Sequence, residues 1–183
     1  MPKTQMRWIT MLAVLATLAA GTASAASKPN VVTTTEDLAS LSREVGGDRI
    51  VVDSIARGYQ DPHFVEPKPS FLLKLQKADL LVAVGLQLEI GWLPPLIAQS
   101  RNSKIQVGAR GYFDVSTACR ILEIPSGQIT RAMGDVHPLG NPHYWLAPDN
   151  GRRIAKALAD KFSEMRSGDA AYFAQRYADF DRR

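Results

Sequence analysis

Apolar and polar positions along this chain alternate between short β-branched runs and stretches with apolar residues three or four apart, the pattern of strands interleaved with helices. Asn30 to Thr34 is a short β-rich run, and Glu36 to Val45 carries Leu38, Leu41 and Val45 at helical spacing before a Gly46-Gly47 stop. Ile50 to Ile55 is a second strand-like run, after which Pro62, Pro67 and Pro69 keep the chain irregular. Ser70 is a candidate cap for a helix bearing Leu72, Leu73 and Leu75. Asp79 to Gly85 contains a continuous apolar run, as expected of a strand covered on both faces in the middle of a parallel sheet. A further helix is predicted over Glu89 to Gln99, entered or bent at Pro94-Pro95, and Lys104 to Val107 supplies a fourth strand.

Regularity then falls away. Phe113, Val115, Ile121 and Ile124 suggest a small hairpin within Gly111 to Ile124, and Pro125 to Gly140 reads as a long polar loop. Pro148-Asp149-Asn150 opens a helix with Asp149 as its expected cap and Ile154, Leu158 and Phe162 four residues apart; Gly168-Asp169 interrupts it, and helix resumes from Ala170. Strands and helices in alternation predict an α/β fold: a single Rossmann-like lobe with a parallel four-stranded sheet flanked by helices and joined by right-handed crossovers. Ligands of such sheets bind at the carboxyl ends of the strands, and the Tyr59 to Pro69 loop leaves such an end.

The first residues carry a different pattern. Lys3 and Arg7 precede the apolar run Trp8 to Ala20, and Ala23-Ser24-Ala25 has the small-x-small form of a cleavage site. The run is short of the ~20 residues of a spanning helix. Residues 1–25 are therefore expected to be a signal peptide cleaved after Ala25, with a lobe over residues 26–167. Cys119 is the single cysteine, so no internal disulfide forms and the thiol is expected to act as a small buried hydrophobe. No cysteine follows the apolar run, which predicts a freely soluble periplasmic monomer without a lipid anchor. Charge adds little: 22 Lys and Arg against 18 Asp and Glu are scattered, with no basic-aromatic cluster suited to a nucleic acid.

Two of the three histidines sit in near-copies of one tetrapeptide, Asp61-Pro62-His63-Phe64 and Asn141-Pro142-His143-Tyr144. Proline fixes its own φ and holds its predecessor extended, so each imidazole is presented from a stiff loop that has little entropy left to lose on coordination. Neutral imidazole is a favoured zinc ligand, and zinc takes four protein ligands or three plus water, so His63 and His143 make half a site. Asp61, Glu66 and Asp135 are candidates for holding the far nitrogen of an imidazole, for capping turns, or for oxygen ligation. His137, before Pro138 in the polar loop, is a possible accessory ligand, otherwise a simple loop residue. Tyr59, Phe64, Trp92 and Trp145 are assigned to packing. No His-Glu-x-x-His, Gly-x-Ser-x-Gly or phosphate-loop motif marks an enzyme.

Asp61-Pro62-His63, Glu66-Pro67, Pro69-Ser70, Ala78-Asp79-Leu80, Gly85 and Leu88-Glu89 together resemble the zinc/manganese-binding subfamily of ABC-importer substrate-binding proteins, and Asn141-Pro142-His143-Tyr144-Trp145-Leu146-x-Pro148 is similar to its second metal motif. The resemblance implies two lobes joined by one long rigid helix, and a buried zinc ion, or alternatively manganese, delivered to a membrane ABC permease. It implies two histidine ligands from the N-terminal lobe, with a histidine or glutamate and a carboxylate from the other. Residues 168–183 then correspond to the start of the linking helix, and the positions of the third and fourth ligands lie beyond Arg183. Ala147 stands where many relatives carry aspartate, and the loop before His143 lacks the histidine-rich run of some zinc members. A remnant lobe that binds metal weakly without supporting transport is the main competing expectation. A metal-dependent hydrolase using Asp61 or Glu66 as base is the other.

Overall fold

The structure, a computed structural model, describes residues 27–127 and 136–183, so the expected signal peptide and Asp135 lie outside the described residues. Four strands, β1 (Asn30–Thr33), β2 (Val51–Ser54), β3 (Leu80–Ala83) and β4 (Tyr112–Asp114), form a parallel sheet in the order β2-β1-β3-β4. The helices are α1 (Glu36–Gly46), α2 (Pro69–Lys77), α3 (Leu93–Ser100), α4 (Pro148–Met165) and α5 (Ala170–Arg182). The expected α/β lobe is what forms. Among the described residues no helix is long and apolar enough to cross a membrane.

Burial follows the strand order. All four residues of the central β3 are buried, whereas the edge strand β2 alternates, with Val51 exposed. Successive β-strand side chains point to opposite faces. Val31, Leu80 and Val82 therefore join Leu38, Ile154, Leu158, Phe162 and Phe173 on one side, while Val32, Leu81 and Ala83 meet Leu75, Leu96, Ile97 and Ile105 on the other. Each such aliphatic side chain, fully buried, stabilises the fold by about 1.5–3 kcal/mol relative to exposure. Helix α5 packs on the first of these layers: Phe173 is fully buried against Phe162, and the Arg176 guanidinium donates to the Glu44 carbonyl in the last turn of α1.

The fourth strand begins eight residues later than its apolar run suggests. Lys104–Val107 is not a strand: Asn102 Oδ1 accepts from Lys104 N at 3.0 Å, turning Ser103–Ile105 into a 3-10 helix. The Asn102 amide donates to the carbonyls of Leu75 and Ala78, fixing that turn to the end of α2, and Ile105 is buried without pairing in the sheet. Gly111 then passes so close to neighbouring backbone that a Cβ there would lie 2.5 Å from the Lys104 carbonyl oxygen and 2.6 Å from that of Asp79. This close passage delivers Tyr112–Asp114 into register with Leu81–Ala83. The predicted hairpin does not form, since Phe113 lies in β4 and Val115–Ala118 is a 3-10 turn.

Helix starts also shift. Lys68 and Ala147 occupy the caps of α2 and α4, with Pro69 and Pro148 in the first turns; Ser70 and Asp149 cap neither. Proline suits the first helical position because its missing N–H has no partner there anyway, and the Asp149 carboxylate instead faces the positive end of the helix dipole. Gly85, Leu86 and Gln87 all have positive φ, so the predicted helix at Glu89 is delayed to Leu93, with Pro94 and Pro95 in its first turn. Cys119 is half-buried against the first layer, and burial pushes its thiol up to about 12, which keeps it protonated and unreactive.

Candidate metal centre

The two Pro-His loops reach the same end of the sheet by matching devices. Asp61 Oδ1 accepts from the backbone N–H of His63 at 2.9 Å and from its Nδ1–H at 2.7 Å. Asn141 Oδ1 does the same for His143, accepting from N–H at 2.9 Å and from Nδ1–H at 2.9 Å. The Asn141 amide nitrogen donates to Glu123 at 2.7 Å, which agrees with that orientation of the amide. Each imidazole thus keeps its hydrogen on Nδ1 and leaves the Nε2 lone pair available. The ring centroids of His63 and His143 are 5.2 Å apart.

Two buried aromatic residues hold these loops. The indole N–H of Trp92, itself 2 % exposed, donates to the Pro62 carbonyl at 2.8 Å, tying the first loop to the approach to α3. The Tyr144 hydroxyl donates to the Val84 carbonyl at 2.5 Å, fixing the second loop to the end of β3, and Trp145 lies against the His143 ring at 5.5 Å. Trp92 and Trp145 do pack. Tyr59 and Phe64 do not: both are about four-fifths exposed, at 80 % and 79 %.

Glu89 was no candidate from sequence, yet it shapes the base of the site. It is buried at 4 % exposure, and its carboxyl oxygens accept from Val84 N at 2.7 Å and Gly85 N at 3.1 Å. Burial raises its pKa, partly opposed by the Thr34, Val84 and Gly85 hydrogen bonds. These bonds hold the positive-φ turn that links β3, on which Tyr144 anchors, to the segment bearing Trp92. The sequence signal that could have found it is the single acid within the Gly85–Leu93 run.

Of the residues singled out by sequence, Asp61, His63 and His143 come together, and His137 joins them, its Nε2 lying 3.1 Å from His63 Nε2. Its ring centroid is 5.2 Å from that of His63 and 6.3 Å from that of His143. Glu66 is exposed, and among the described residues no hydrogen bond joins it to a histidine. Asn141, the structural twin of Asp61, was not singled out, although the repeated tetrapeptide contained the signal. Among the described residues no three or more His, Cys, Asp or Glu side chains stand in a finished metal-binding arrangement. A cleft of about 550 Å³ lined by Arg152, Asp160 and Asp181 includes none of the histidines.

Asp61 and His143 both depart from their ordinary pKa values. Backbone and side-chain hydrogen bonds from His63 hold the Asp61 carboxyl below its ordinary pKa. Desolvation, then the neighbouring His63, lowers that of His143, opposed by Asp61. The first shift keeps the Asp61 carboxyl ionised and the second favours the neutral imidazole of His143, the form that ligates a metal.

Residues 31–183 match the family model described as "Zinc-uptake complex component A periplasmic". The manganese ABC transporter substrate-binding lipoprotein scaA of Streptococcus gordonii is 34% identical over 159 residues, covering 82% of this chain and 47% of that protein. The manganese ABC transporter substrate-binding lipoprotein PsaA of Streptococcus mitis is 29% identical, covering 91% and 52%. The Mn-bound periplasmic metal binding protein of Candidatus Liberibacter asiaticus shares the fold with a TM-score of 0.67 at 16% identity, covering 84% of this chain and 52% of that one. A ZnuA crystal structure aligns with a TM-score of 0.66 at 24% identity, covering 84% and 55%. The chain spans about half the length of the curated relatives it matches. The curated relatives are named substrate-binding lipoproteins of ABC transporters. The expectation of a protein without a lipid anchor is overturned, because the curated relatives are named lipoproteins; it had rested only on a missing cysteine after the apolar run.

Proposed function

The chain belongs to the zinc-uptake component A family of metal ABC transporter substrate-binding proteins, and from that premise we propose that it captures a divalent metal at His63 and His143 and passes it to a membrane ABC permease. The observation that carries this reading is the paired loop geometry. Two imidazoles, each with Nδ1–H engaged by an Asx side chain two residues earlier, present Nε2 lone pairs from rings whose centroids are 5.2 Å apart. A second hydrogen-bonding partner fixes the tautomer and orientation of a metal-bound histidine, and a carboxylate in that place raises its basicity.

Zinc is the proposed ion, because nitrogen donors suit zinc, whereas manganese prefers a more oxygen-rich set. The manganese named in several relatives makes competition between the two ions the natural control. Titration of the chain with zinc against a chromophoric chelator tests the site. His63→Ala and His143→Ala should each weaken binding by about tenfold or more, at least the loss that removing an outer hydrogen-bonding partner produces. Unchanged affinity in both variants would refute the assignment.

A further inference from the structure

Resting on the reading of His63 and His143 as ligands, we propose that His137 is a third imidazole ligand, so that this lobe alone offers a three-histidine capture site for zinc. Asp61 Oδ1 receives the Nδ1 hydrogen of His63, so the lone pair of His63 lies on Nε2. The hydrogen in the 3.1 Å contact between His63 Nε2 and His137 Nε2 must then belong to His137. That proton occupies the space between two ring nitrogens where a cation would sit.

The spacing suits the exchange. Two nitrogens bound at 2.0–2.1 Å to a tetrahedral ion stand about 3.3 Å apart, close to the separation already present. Coordination requires neutral His137 to carry its hydrogen on Nδ1 instead of Nε2, a tautomer shift through solvent that leaves the net proton count unchanged. The three rings form a triangle with centroid distances of 5.2, 5.2 and 6.3 Å, so His137 and His143 must draw together to complete the set.

The loops that carry the three rings are each tied to the fold. His63 and His143 are stapled through Pro62 to Trp92 and through Tyr144 to Val84. His137 is carried by a turn in which Gly140 N donates to the His137 carbonyl at 3.2 Å, and Asn141 N donates to the Leu122 carbonyl at 2.9 Å. Gly140 has φ +105, and a Cβ there would lie 2.4 Å from Ile121. The Gly140 end of the turn is thus anchored, which sets His137 beside the two imidazoles held by their own loops. Three nitrogen donors also bias the lobe towards zinc over manganese.

The test combines zinc titration with zinc-edge X-ray absorption on the chain, which counts imidazole ligands directly. The expected result is three imidazoles in the parent and two in both His137→Ala and His137→Gln, with zinc affinity lowered by about tenfold or more, no less than loss of an outer hydrogen-bonding partner costs. Zinc preference over manganese should fall in the same variants. Two imidazoles in the parent, with unchanged affinity in the His137 variants, would overturn this inference while leaving the two-histidine site intact. Loss of the underlying reading is separately visible, as unchanged zinc binding in His63→Ala and His143→Ala.

Discussion

The Nδ1–H of His63 donates to Asp61 Oδ1 at 2.7 Å, and the same bond, with an amide in place of the carboxylate, joins His143 to Asn141 at 2.9 Å. One half of the pair is therefore charge-assisted and the other is neutral. Removing the charge by Asp61→Asn should preserve loop geometry while weakening zinc binding by about 10–100-fold. Asn141→Asp should strengthen it. Calorimetric titration of the two variants reads both signs, and equal affinities across the series would show that the carboxylate contributes nothing beyond the turn.

His143 should titrate below the ordinary imidazole value of about 6.5, because desolvation and then His63 both oppose its protonation. In the folded state it therefore binds its proton at lower pH than in the unfolded chain. As pH falls through this interval the unfolded state takes up the proton first, so the stability associated with His143 is present above it and lost on acidification. NMR titration of the ring Cε1 hydrogens gives the midpoint directly. A midpoint at or above that of a free histidine would contradict the packing described around this ring.

Glu89 has the opposite sign. Its folded pKa is raised by burial, so the native state holds an extra proton once pH exceeds the ordinary carboxyl range, and stability should decline as pH rises through the folded value. Glu89→Gln should flatten that dependence. Glu89→Ala should destabilise the lobe by about 1–3 kcal/mol at any pH, since Gly85 N–H loses its acceptor and Val84 N–H keeps only the longer bond to Thr34 Oγ1. Urea unfolding at pH 5 and pH 8 separates the two effects.

Trp92→Phe keeps an aromatic ring in the core but removes the donor to Pro62 O. A loss of about 1 kcal/mol in stability is expected for one such bond, together with weaker zinc binding because the His63 loop is released. Chemical denaturation and zinc titration of one preparation should show both changes. Full zinc affinity in a destabilised variant would mean that Pro62 and Asp61 suffice to hold the loop.

Much of the lobe was legible in the chain. Leu80 to Ala83, apolar on every position, is the central strand, and Leu38, Ile154, Leu158 and Phe162 fall on the layer their helical spacing predicts. The repeated Pro-His tetrapeptide marked His63 and His143 because proline stiffens a loop through local geometry alone. The fourth strand was misplaced for a nonlocal reason. Ile105 has the hydrophobicity of a strand residue, but Asn102 is pinned to carbonyls at the end of α2, and that tertiary bond converts the run into a turn.

What sequence determined, then, was the set of local conformations and the two rigid imidazoles. Backbone preferences, proline and periodic burial act within a few residues and are written in the order of the chain. Only the tertiary structure decided that Trp92 and Glu89 support the loops, and that His137 stands 3.1 Å from an imidazole 74 residues earlier. Such meetings depend on where the sheet and its crossovers carry distant segments, which no local pattern specifies.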